Sequence, residues 1–250
     1  MAHRSGLTGR PCSPWALCAV PARRRVTYDH RMRYARDERA ALCALLDETG
    51  PAAPTLCEGW TTLDLASHLV LREHRPDAGA GMLGGPLAGH TRRAQRKLTS
   101  RTPYPRLVET IRNGPPRLSL FGLPGMDERA NVVEFFVHHE DVRRAQPGWQ
   151  PREIDPGLPE ALWQRLRMAR LILRKAPVGV EFVRSDEPTA TRSGTPSIRL
   201  TANARTPVVT VTGPPAELTL WALGRTAVAQ VRLDGSEADV GALSAARRHF

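Results

Sequence analysis

Lysine is almost missing from this chain: Lys97 and Lys175 are the only lysines among 36 basic residues. With abundant Ala, Gly and Pro, that skew toward arginine is what a GC-rich coding sequence produces. The net charge of +11 is therefore poor evidence for a nucleic-acid partner. Residues 1–31 also hold six Arg against one Asp, which leaves only +6 over the remainder. Helix-turn-helix, RRM and zinc-finger signatures are absent, and no nucleic-acid partner is expected. Cysteine is scarce. Cys12, Cys18, Cys43 and Cys57 form no CxxC pair, which excludes a zinc ribbon and a disulfide framework and makes a reducing cytoplasm the expected location. No apolar run approaches the roughly 20 residues that cross a bilayer, so no membrane partner is expected. Arg4 and Arg10 precede an apolar segment of only about eight residues that holds a proline, too short and interrupted for a secretory signal. Neither GxGxxG nor GxxxxGK[ST] occurs, so the Gly-rich stretch at 77–90 reads as a loop and not a phosphate cradle. No Ser/His/Asp arrangement is evident.

A chain of 250 residues has room for one large core or two modest ones. Residues 1–31, rich in Arg, Pro and Gly without periodicity, read as a disordered basic tail, with Val26 or Met32 as alternative translation starts. An amphipathic helix is expected from Met32 to Glu48, ended near Gly50, with core packing as its role. Thr61 and Asp64 make an approximate capping box for a helix from Thr62 to Glu73, with Trp60 packing on Leu65 and His68 at its middle. A third helical region spans His90 to Ser100 and Tyr104 to Arg112, interrupted by prolines. His90 is a weaker candidate for approaching a site from the loop. Pro115 to Gly125 reads as a loop, and Met126 to Ala145 as the fourth helix.

That last helix carries the chemistry. In Asn131–Ala145, stepping about 100° per residue puts His138 and Asp141 within about 40° of Glu134, with Val133, Phe135, Val137 and Val142 alongside. His139 and Glu140 point the other way, so the doubled histidine reads as one functional residue and one exposed neighbour. A Glu and a His four apart on a helix can grip a divalent metal, although such pairs are more often ordinary surface pairs. Bundles build metal sites from facing helices. His68 would complete a His₂Glu triad with open positions, as catalytic metals have.

The segments GW-TTLDLASHLV and EFFVHHEDVRRA resemble the metal-binding domain of the mycothiol-dependent maleylpyruvate isomerase family, a branch of the DinB-like four-helix bundles. That family's W-x-x-x-D-x-x-x-H and E-x-x-x-H-x-x-D patterns are met by Trp60, Asp64 and His68, and by Glu134, His138 and Asp141. PTLCEGW, RPDAG, PLAGHT and VEFFVHHEDVRRAQPGW are similar to an actinobacterial subgroup of metal-binding proteins with undefined activity. The resemblance implies a divalent metal, most often zinc, on His68, Glu134 and His138, with Asp64 and Asp141 behind them orienting the imidazoles. It implies mycothiol as a co-substrate thiol, an electrophilic small molecule as its partner, and an isomerase or transferase. A non-catalytic metal-binding or regulatory module of the same fold is the alternative.

After Pro147-Gly148 the pattern changes to a long helix, Leu158 to Lys175. Strands follow at Val178–Arg184, Ser197–Ala202, Val208–Thr212 and Val228–Leu233, with helices at Ala216–Leu223 and Glu237–Arg247. The fold class expected is thus an α-helical DinB-like four-helix bundle over 32–146 followed by a smaller α+β domain over 155–250, whose GPPAELTLWALGR segment also resembles that family. Arg225 ends this segment. It is the candidate catalytic residue, a guanidinium able to clamp a substrate carboxylate, although a helix C-terminus also favours Arg. Cys57 reads as a small buried hydrophobe before a redox thiol.

Overall fold

The structure is a computed structural model that describes residues 34–75, 88–116, 126–185 and 198–247. The basic tail, most of the Gly-rich loop and all but the start of the Pro115–Gly125 loop lie outside the described residues. Helix α1 (Tyr34–Thr49) ends where Gly50 takes φ 71° and donates its N–H to the Leu46 carbonyl. Helix α2 (Thr62–His74) starts at the expected capping box: the Thr61 N–H donates to Asp64 Oδ2 at 3.0 Å, and the Thr61 hydroxyl lies 2.9 Å from the same oxygen. The third helical region is split at Pro103 into α3 (Ala88–Arg101) and α4 (Tyr104–Asn113). Helix α1 packs against α4 and the next helix, α5 (Met126–Arg143); α2 packs against α3 and α4. Between them lies a core that includes Leu42, Leu46, Leu65, Leu69, Leu107, Ile111 and Phe135.

Helix α5 departs from the expected one-sided pattern. From Asn131 to Val142 nearly every residue is buried, apolar and charged alike. His139 and Glu140 do face away from His138, but they are buried, not exposed. The far side of α5 is covered by α1 and by the segment after Pro147, which carry the charges that make burial tolerable. His139 Nδ1 lies 2.8 Å from Glu38 Oε2, and Arg152 holds both Glu38 and Glu140 at 2.7 Å. Arg144 joins Glu140 at 2.6 Å to Glu217 at 2.6 Å. Both Glu38 and Glu140 are held below the usual carboxylate range: burial pushes them up, and hydrogen bonds from His139, Arg152 and Arg144 outweigh it. Helix α1 therefore supplies charge as well as core, through Glu38 and through Arg39, whose guanidinium grips Glu73 at 2.6 and 2.7 Å.

The long helix expected at Leu158–Lys175 is broken: α6 (Leu158–Arg165), a 3₁₀ turn (Leu166–Met168) and α7 (Ala169–Leu173). No Gly or Pro marks the break, so periodicity alone does not reveal it. Strands β1 (Gly179–Arg184), β2 (Arg199–Asn203), β3 (Val208–Gly213) and β4 (Arg232–Asp234) form one sheet in the order β2-β1-β3-β4. Strands β1 and β3 are parallel and the outer pairs antiparallel. The fourth strand is shorter than its apolar run because Val228 to Val231 turns back on Arg225 and Ala229. Gly179 is required: a Cβ there would lie 1.9 Å from the Arg205 carbonyl. Helices α8 (Pro215–Ala222) and α9 (Glu237–Arg247) complete this part, and a second core forms around Val180, Phe182, Val209, Val211, Leu218 and Trp221. Both cores belong to one contact unit, Arg33–Phe250. Among the described residues no helix is long and apolar enough to cross a membrane.

Arg144 connects the two cores, since Glu140 lies on α5 and Glu217 on α8. Replacing it by Leu leaves Glu140 to Arg152 but takes from the buried Glu217 its guanidinium, and the expected loss in urea unfolding is about 3–5 kcal/mol.

Candidate metal centre

Helices α2 and α5 meet through His68, Glu134 and His138. Each contributes one ligand atom, and the three atoms lie within 4.8 Å of one another. Glu134 Oε1 is shared: His68 Nε2 is 3.2 Å from it, His138 Nε2 3.3 Å and Arg72 Nε 3.4 Å. The imidazoles sit edge to face with centroids 5.1 Å apart, and the Trp60 ring tilts against His68 at the same distance. The capped start of α2 brings Trp60 there, about two turns before His68.

Behind His138 is a second carboxylate. Asp141 Oδ2 lies 2.8 Å from His138 Nδ1, with its side chain fully buried. Arg225 then grips Asp141 with Nε at 2.7 Å and Nη2 at 2.5 Å, and the Cys57 thiol donates to Asp141 at 3.3 Å. Burial raises the Asp141 carboxyl, but Arg225 and His138 outweigh it and hold the pKa at about 2. For Glu134, burial is again opposed by hydrogen bonds from His138 and His68, and the balance lies well below the carboxylate range. His68 goes down because burial outweighs its contact with Glu134. His138 goes well up: burial opposes its charge, and Asp141, Cys57 and Glu134 prevail.

These directions expose an electrostatic demand. Ionised carboxylates only accept hydrogen bonds, so Asp141 fixes the proton on His138 Nδ1, and Nε2 then points its lone pair at the ionised Glu134. Something positive must stand between Nε2 and Oε1, either a second proton or a metal ion. A tetrahedral zinc with bonds of about 2.0–2.2 Å places its ligand atoms about 3.3–3.5 Å apart. The edges from Glu134 to His68 and His138, 3.2 and 3.3 Å, fit that figure. The neutral tendency of His68 fits as well, since a protonated imidazole has no lone pair to give.

Of the residues singled out by sequence, His68, Glu134, His138 and Asp141 come together. Asp64 does not join them; its carboxylate is turned to Thr61 at the start of α2, because the cap competes for it. His90 is exposed on α3 and belongs to neither metal-type group among the described residues. Arg225 does reach the centre, but each of its nitrogens meets a protein acceptor: Asp141 twice, the Leu223 carbonyl and Cys57 Sγ at 3.4 Å. Sequence reasoning missed Arg72, and it read Cys57 as a small buried hydrophobe, whereas the side chain is half-buried and its thiol is polar-bonded to Asp141. Cys57 is brought in by the loop before α2, whose Leu56 N–H donates to the Asp141 carbonyl at 3.0 Å. No spacing rule links residues 84 positions apart. The i, i+4 step from His68 to Arg72 was the one available signal.

The fold and site thus define a class: a helical part carrying a His/Glu/His group, closed from behind by an α+β part. Residues 32–118 match the family model described as mycothiol maleylpyruvate isomerase N-terminal domain, which places that region in the maleylpyruvate isomerase-like family. The matched stretch includes Cys57, Trp60 and His68 and stops before α5. No curated protein and no solved structure matches the chain.

Asp141 links this geometry to stability. Its pKa is depressed from 3.8 to about 2, so its contribution is fully present above pH 4 and disappears as pH falls through 2. Asp141→Asn is expected to lose about 2 kcal/mol or more at neutral pH, with a gap to wild type that narrows between about pH 4 and pH 2 in chemical denaturation.

Proposed function

We propose that the chain holds one divalent metal ion, zinc by its donor set, on His68, Glu134 and His138, and uses it with a low-molecular-weight thiol on a small electrophile. The reading carries with it a DinB-like four-helix bundle over 32–146, a C-terminal α+β domain over 155–250 and a cytoplasmic setting. The single observation behind it is that both nitrogens of His138 face carboxylates while His68 Nε2 converges on the same Glu134 oxygen.

A divalent ion bound there would lower the pKa of a coordinated thiol and hold the thiolate ready for attack. The residues do the rest. Asp141 keeps the His138 proton on Nδ1 and so keeps Nε2 available as a ligand. Arg225 holds Asp141 ionised, and Arg72 favours the negative form of Glu134. Trp60 covers one side of the His68 ring and excludes water there. Mycothiol is the thiol that the name of the matched family suggests, and an isomerase or S-transferase is the activity. The role of Arg225 in this reading is to steady Asp141, not to clamp a substrate carboxylate. One observation favours the alternative, a non-catalytic metal-binding or regulatory module: among the described residues both guanidiniums at the centre, Arg225 and Arg72, are engaged by protein acceptors and not held out for an anionic substrate.

Metal analysis of untagged protein tests the reading. About one equivalent of zinc or another divalent ion is expected in wild type, with loss in His68→Ala and His138→Ala. A metal-free wild type overturns it. Calorimetric titration with mycothiol then separates the two functions, because the thiol-dependent enzyme requires binding to holo but not apo protein.

A further inference from the structure

The metal centre leaves the chain's most cationic feature unused. From Ala78 to Val108 there is not one acidic residue, while Arg92, Arg93, Arg96, Lys97, Arg101 and Arg106 fall within that stretch. Five of the six sit on α3. A codon bias that exchanges lysine for arginine does not remove acids from such a stretch, and it does not sort cations by side.

The structure sorts them. At about 100° per residue, Arg92, Arg96, Ser100, Arg93, Lys97 and Arg101 follow one another around about half of the helix circumference. All six are exposed. The opposite half faces α2: Thr99 donates to Ser67 at 2.9 Å and Gln95 to the Asp64 carbonyl at 3.2 Å, and Leu98 joins the helical core. Among the described residues none of the five α3 cations has an acidic partner. Some other surface arginines do, Arg112 with Asp47 and Glu109 and Arg199 with Glu181, while Arg36, Arg167 and Arg174 are scattered singly without one among the described residues.

We propose that the outer face of α3 docks onto the phosphate backbone of a nucleic-acid duplex, without base specificity. The sequence reading set nucleic acid aside because bulk charge is weak evidence; the one-sided, unpaired arrangement is a separate observation. Three features select the occupant. The face carries no large apolar or aromatic side chain, and protein interfaces draw most of their affinity from such anchors. The cations spread around a half-cylinder, so a flat lipid surface reaches only its crest. A helix of this kind is about 10–12 Å across with side chains, and the duplex major groove is about 12 Å wide with phosphates on both rims. At about 1.5 Å per residue, the 14 residues of α3 run about 21 Å, somewhat less than twice the width of such a groove.

The test is fluorescence anisotropy of the full chain with a labelled 20-base-pair DNA duplex over a salt series from 50 to 200 mM. Wild type is expected to bind, and R92Q/R96Q/K97Q/R101Q to bind about tenfold or more weakly, with a log–log salt slope shallower by about 3 to 4. The smaller change R92E/R96E moves binding in the same direction, and an unchanged melting temperature and metal content show that both variants fold. Equal binding by wild type and variants overturns the proposal and assigns DNA affinity to other cations, such as the arginines of residues 1–31. Absent duplex binding by wild type overturns it too. So does binding to phosphatidylglycerol vesicles in place of DNA, which assigns the face to a lipid surface.

Discussion

An imidazole flanked by two carboxylates is the constraint around which this structure is arranged. Asp141 takes one nitrogen of His138 and Glu134 faces the other, so the ring cannot rest as a neutral base. Everything nearby addresses that imbalance. Arg225 neutralises Asp141 from behind, Arg72 and His68 converge on Glu134, and the Cys57 thiol donates to Asp141. The gap between His138 Nε2 and Glu134 Oε1 calls for a cation, a proton or a metal ion, to complete the arrangement.

Burying so much charge on α5 requires a surrounding shell of opposite charge, and the chain builds it from every direction. Helix α1 contributes Glu38, the segment after Pro147 contributes Arg152, and α8 contributes Glu217. Helix packing in this protein is therefore not a matter of apolar faces alone. Among the described residues, two of the three fully buried phenylalanines, Phe135 and Phe136, lie on the same helix as these charges, and Arg39 and Arg152 stack over their rings.

Most elements and the grouping of His68, Glu134 and His138 were legible in the sequence, because helix caps, Pro and Gly stops and the i, i+4 pair are local signals. Thr61 with Asp64, Gly50 and Pro103 each end or begin a helix where their chemistry says they should. What escaped was set by packing between distant segments. The burial of His139 depends on Glu38, 101 residues away. The position of Arg225 depends on Asp141, 84 residues away, and Cys57 is placed by the same aspartate. The 3₁₀ turn at Leu166–Met168 left no mark in composition. Asp64 illustrates a different limit: one carboxylate had two plausible uses, and the cap took it.

The grip of Arg225 on Asp141 has an evolutionary consequence. Two hydrophobic cores suggest two exchangeable modules, yet the α+β part supplies the guanidinium that neutralises a buried carboxylate within the helical part. A recombination event that joined this helical part to a different partner would leave Asp141 with His138 and the Cys57 thiol but without the guanidinium that holds it ionised. A change at residue 225 therefore acts on residue 141, in the other half of the chain.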